Sequence, residues 1–101
     1  MDITSIEYTR GYGYISRAGI IQQFKMSKSS VDKRLNEIKE EIKKGRYSEQ
    51  AFIKDGGFVF VNYLVFVDYL ENRQKLLEPN ARKEVKPFNA YAWARELGWY
   101  D

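Results

Sequence analysis

The chain has 101 residues, 17 Lys and Arg against 14 Asp and Glu, and neither Cys nor His. That length fits one small domain, and a hydrophobic share of 44% is enough to close a core without staples. The missing Cys and His exclude disulfides, thiolate nucleophiles, iron–sulfur clusters, Cys-ligated zinc and the commonest general base.

In chain order, residues 3–15 hold alternating and Gly-Tyr-rich pieces: Ile3, Ile6 and Tyr8, then Gly11-Tyr12-Gly13-Tyr14. They read as a short strand or an extended arm; single-stranded base stacking is the less favoured use of the Arg10–Tyr14 stretch. Ser16 suits an N-cap, because its hydroxyl can accept from the unpaired amides of a first turn. Ile20, Ile21 and Phe24 then recur at helical spacing to about Lys25, with Gly19 as a weak point. Ser27 suits a second N-cap. Val31, Leu35, Ile38 and Ile42 follow at intervals of four, three and four, which predicts a helix of about sixteen residues that stops at Gly45. That stripe serves either as core packing or as a coiled-coil seam, and its short run favours core.

Beyond Gly45 the pattern changes. Ala51–Lys54 and Phe58–Val61 are runs of strand formers around Asp55-Gly56-Gly57, which predicts a β-hairpin. Phe58, Phe60 and Phe66 are expected in the core. Asn62 is a candidate cap for a third helix with Phe66, Leu70, Arg73 and Leu77 along one side, ending before Pro79. Residues 79–88 read as a charged connector. Asn89 to Leu97 reads as a last short helix presenting Tyr91, Trp93, Ala94 and Leu97, with Gly98 after it. Trp93 and the later Trp99 either fold back on the domain or form an aromatic surface for a protein partner.

Charge is unevenly placed. Residues 16–46 carry nine basic side chains against four acidic ones, a local excess of five in a chain of +3. Such a segment attracts polyanions, although Glu–Lys spacings such as Glu40–Lys43 and Glu40–Lys44 also suit a plain solvated helix face. No paired carboxylates, calcium loop or phosphate-binding Gly loop with its Lys is present. The chain is therefore expected not to be an enzyme and to need no cofactor, metal or small-molecule substrate. The N-terminus lacks the apolar run of a secretory signal. The longest apolar stretch, Phe58 to Leu70, is broken by Asn62 and Asp68 and is too short for a membrane span. A soluble, cytoplasmic protein is expected.

A short helix, a tight turn and a second helix with Lys28, Ser29, Ser30, Lys33 and Arg34 near its start follow the helix-turn-helix plan. With the hairpin behind it, the segment Tyr14 to Arg73 resembles the winged helix-turn-helix proteins of phages and mobile elements, excisionases among them. The likeness lies in Tyr14-Ile15-Ser16, in Ser27, Ser30-Val31 and Arg34-Leu35, and in the hairpin from Ala51 to Asn62. It departs from them where a small residue of the first helix and a turn glycine are replaced, at about Ile21 and Lys25. The resemblance implies an α+β fold: a winged helix-turn-helix domain over residues 1–78 with a two-stranded wing, then a linker and aromatic helix over 79–101. It implies double-stranded DNA as partner, with Arg17, Lys28, Ser29, Ser30, Lys33, Arg34 and the wing residue Lys54 as contacts. It further implies an excision or transcription role, with self-association or an integrase or other protein as a further partner. Glu37, Glu40 and Glu41 would repel a phosphate backbone, so only the first half of the second helix is expected to read bases. The rival class is a phage-encoded protein–protein module, an antirepressor or inhibitor using the C-terminal aromatic helix.

Overall fold

The computed structural model describes residues 13–98; the expected features at residues 3–12 and at Trp99 lie outside them. In chain order the elements are β1 (Tyr14–Ser16), α1 (Arg17–Phe24), α2 (Lys28–Lys43), a 3-10 turn (Glu49–Ala51), β2 (Phe52–Asp55), β3 (Phe58–Asn62), α3 (Tyr63–Leu76), α4 (Pro79–Arg82) and α5 (Ala90–Glu96). The fold is α+β, helices around a three-stranded antiparallel sheet of order β1-β3-β2.

Local chemistry sets most boundaries. Ser16 Oγ accepts from Gly19 N at 3.0 Å, Ser27 Oγ from Ser30 N at 3.1 Å, and Asn89 Oδ1 from Ala92 N at 3.0 Å. Asn62 Oδ1 takes both Leu64 N and Val65 N. Each cap satisfies amides that a helix start leaves without a carbonyl partner. Gly19, a poor helix former, sits at a close approach: a Cβ there would lie 3.0 Å from the Ile15 side chain, which would have to give way by a few tenths of an ångström. Asp55 pairs with Phe58, so Gly56-Gly57 form a two-residue loop, and Gly56 takes the positive φ of 61° that its first position demands.

The sheet corrects the expected two-stranded wing. Tyr14, Ile15 and Ser16 pair with Asn62, Val61 and Phe60, so β3 is the central strand. Pairing on both sides removes the row of open backbone groups that an edge strand would show. Side chains alternate across this sheet. Ile15, Phe52, Val59 and Val61 share the inner face, and Tyr14, Ile53, Phe58 and Phe60 share the outer one. Phe58, expected in the core, is therefore 69% exposed, while Phe66 on α3 is fully buried.

The core gathers Ile20 of α1, Val31, Leu35 and Ile38 of α2, Val61 of β3, and Val65, Phe66, Tyr69 and Leu76 of α3. Phe24 packs its ring 5.2 Å from Phe66. Burying each large side chain of this kind contributes roughly 1.5–3 kcal/mol. The α2 stripe packs as expected, although Ile42 is only half-buried and Glu41 takes an inner position beside it. On α3 the expected stripe is rotated. The buried face centres on Tyr69 and Leu76, Leu77 is exposed, and Arg73 turns aside to Glu37. The segment expected as a plain connector contains α4, whose Arg82 reaches back to Glu41. Among the described residues, no helix is long and apolar enough to cross a membrane.

Candidate nucleic-acid interface

Helix α2 presents its inner stripe to the core, which leaves Ser29, Asp32, Lys33, Asn36 and Glu40 along the opposite side, with Glu37 at its border. α1 precedes it through three residues only, Lys25, Met26 and Ser27. Lys25 occupies the left-handed region, φ 54° and ψ 42°, and turns the chain where a glycine would be the usual choice.

The carboxylates of this region are each held by a cation. Asp32 accepts from Arg17 Nε at 2.6 Å and Nη2 at 2.9 Å. Glu37 accepts from Arg73 Nε at 2.7 Å and Nη2 at 3.0 Å, and from the Tyr69 hydroxyl at 2.7 Å. Glu40 takes Lys43 Nζ at 3.2 Å, and Glu41 takes Arg82 through Nη1 and Nη2 at 2.8 and 2.6 Å. Two of these cations, Arg73 and Arg82, come from outside residues 16–46. Glu37 and Glu41 are therefore turned toward α3 and α4 and neutralised there, whereas Glu40 stays on the exposed side in a solvent-exposed pair with Lys43, so of the three expected repulsive carboxylates it alone faces outward.

The Asp32 carboxyl is held below its ordinary range by the hydrogen bonds from Arg17. Arg73 hydrogen bonds lower Glu37 against the opposing effect of burial, with the Tyr69 hydroxyl and the charges of Arg73 and Arg34 adding to the lowering. Burial, then the bond to Glu37, pushes the Tyr69 hydroxyl up, which keeps it a neutral donor.

The expected contacts divide accordingly. Lys28, Ser29 and Lys33 stand together, exposed, at the start of α2. Ser30 is half-buried and accepts from Ser27 Oγ at 3.0 Å, so its hydroxyl belongs to the cap. Arg34 is half-buried on the flank toward Glu37. Arg17 is committed to Asp32 and clamps α1 to α2. Lys54 is exposed on β2 but stands beside the last turns of α2, with Lys39 and Lys43, rather than with the helix start. Asn36 was not among the expected contacts, yet it shares the exposed side with Ser29 and Lys33. Its helical spacing from them was legible, since seven residues are two turns and three are nearly one.

At the other end of the molecule Asp68 is buried. Its Oδ2 accepts from Arg46 Nε and Nη2 at 3.2 and 2.8 Å and from the Tyr47 hydroxyl at 2.6 Å. Its Oδ1 accepts from Trp93 Nε1 at 2.8 Å and Asn72 Nδ2 at 3.3 Å. The Trp93 indole thus folds back on the domain, while Tyr91 and Leu97 on α5 stay exposed. Among the described residues no cluster of His, Cys, Asp or Glu is arranged to hold a metal. No protein-family model, no curated protein and no solved structure matches the chain at a significant level.

Proposed function

We propose that the chain is a double-stranded DNA-binding protein of winged helix-turn-helix type, serving excision or transcription control in a phage or mobile element. The start and middle of α2 enter the major groove, and the β2–β3 hairpin acts as the wing. The observation that carries the reading is the charge arrangement on α2. Its four carboxylates are each engaged by a cation, whereas Lys28 and Lys33 have no carboxylate partner among the described residues. Lys33 is suited to guanine O6 and N7, Asn36 to adenine N6 and N7, and the first amides of α2 with Lys28 to phosphate.

The test is selection of bound fragments from random duplex DNA, followed by affinity measurement on the recovered site at several salt concentrations. Lys33→Ala with Asn36→Ala should lower discrimination between that site and a scrambled duplex by about 10-fold or more. A chain that shows no salt-dependent duplex affinity overturns the reading. The protein–protein alternative would then rest on Tyr91 and Leu97, since the Trp93 indole is already bonded to Asp68.

A further inference from the structure

The last turns of α2 share a shallow hollow with β2. Lys39, Ile42 and Lys43 line it from α2, Glu49 from the 3-10 turn, and Phe52 and Lys54 from β2. Three lysines from two separate elements thus line one hollow, together with Ile42, Phe52 and the Glu49 side chain. Lys39 lies 5.8 Å from the centre of the Phe52 ring, which orders its stem. Lys39 and Lys54 have no carboxylate partner among the described residues. Lys43 has only Glu40, in a pair with both side chains well exposed, the kind of surface contact that a stronger anion readily displaces.

Helical phase connects this hollow to the start of α2. Eleven residues are close to three full turns, so Lys28 and Lys39 share a flank, about 16 Å apart along the axis. Lys43 extends the row by one more turn, and Lys54 carries it onto the hairpin. The opposite flank bears Glu37 and Glu41, both turned into the domain by arginines. Helix α2 is therefore polarised across its width. One flank carries Lys28, Lys39 and Lys43, with Asp32 between them held by Arg17, and leads to the hairpin, and the base-facing side lies next to it.

We propose that this hollow seats the phosphodiester backbone of bound duplex DNA, with Lys39, Lys43 and Lys54 as phosphate contacts that set register and affinity without reading sequence. The proposal rests on the DNA-binding reading of α2 and adds two contacts, Lys39 and Lys43, to it. A duplex strand offers one phosphate per roughly 3.4 Å of axis, so a row of this length faces several of them. Contacts of this kind position a protein on the duplex but carry no sequence information.

The test compares the parent chain, Lys39→Gln with Lys54→Gln, and Glu49→Gln, by fluorescence anisotropy on labelled duplexes of several sequences. Glutamine removes the charge while keeping half of each lysine's apolar stem, and Glu49→Gln leaves the lysines intact as an independent second variant. The lysine pair should reduce the log–log salt slope by about 1.8, near 0.9 per contact, and weaken all sequences equally. Glu49→Gln should strengthen binding at low salt by up to about fivefold, because a carboxylate facing the phosphates is removed. A lysine pair that keeps the parental slope, or that reorders the preferred sequences, overturns the hollow and leaves the reading at the α2 start standing. A parent chain without salt-dependent duplex affinity overturns both.

Discussion

Lys25 joins α1 to α2 at φ 54° and ψ 42°, the one non-glycine residue with positive φ among those described. A side chain with a Cβ is disfavoured there by roughly 1–2 kcal/mol, part of which glycine returns as greater freedom of the unfolded chain. Lys25→Gly should therefore raise stability by about 0.5–1 kcal/mol, read as a higher urea midpoint with an unchanged m-value. Lys25 is exposed and makes no ion pair among the described residues, so the lost side chain takes no packing with it. Residues whose roles are settled by immediate neighbours were legible in this way. Ser16, Ser27 and Asn62 cap the helices expected of them, Asn89, read as the first residue of the last helix, proves to be its cap, and Gly56 turns the hairpin, because each acts on amides or φ values within three residues.

Between elements, pairing depends on partners far along the chain. Glu37 on α2 is held by Arg73 and Tyr69 on α3, across 36 and 32 positions. No local pattern announces that pairing, and for the same reason the sequence misplaces the inner face of α3 and gives no sign that Glu37 and Glu41 are paired inward. The inner and outer faces of the hairpin were lost differently. Phe58, Val59, Phe60 and Val61 are all apolar, so composition hides the alternation that sends the two phenylalanines outward. The α2–α3 clamp has a pH signature. Glu37 is lowered in the folded chain, so its contribution is full above the ordinary carboxylate value near 4.5 and is lost as pH falls through the lower folded value. Glu37→Gln should lower stability at neutral pH and flatten the loss between about pH 5 and 3, followed by urea unfolding across that range. An acid arm as steep as the parent's would assign the effect elsewhere, with the Arg17–Asp32 pair as the next candidate.

Across the molecule, the buried Asp68 draws donors from the segment after α2, from α3 and from α5, while Arg46 also bonds the Lys86 carbonyl at 2.8 Å and Phe88 packs edge-on against Tyr47. The chain beyond α3 is thereby tied to the core by charge-assisted bonds to a carboxylate that is only 4% exposed. Removing one partner of such a pair typically costs 3–5 kcal/mol, since the other charge stays buried. Asp68→Ala should destabilise by about that amount. In the parent, hydrogen exchange should show the Trp93 indole N–H opening together with the amides of α3, whereas in Asp68→Ala it should exchange earlier and alone. Such convergence is invisible from sequence, where Arg46, Asp68 and Trp93 are three unremarkable residues in three separate segments.

The same convergence restricts how this part of the chain can change over generations. A hydrophobic residue at position 68 alone would leave Arg46 and Trp93 without their acceptor, and a change at Arg46 alone would leave the carboxylate without its cation. A well-packed apolar version of the site is physically attainable, because buried ion pairs are replaceable by hydrophobic residues of similar volume. It is reachable only by altering Asp68, Arg46, Tyr47 and Trp93 together, since neighbours in one network do not contribute additively. Substitutions at these four positions should therefore co-occur, while single changes on the exposed side of α2 leave the fold intact and alter only what that side contacts.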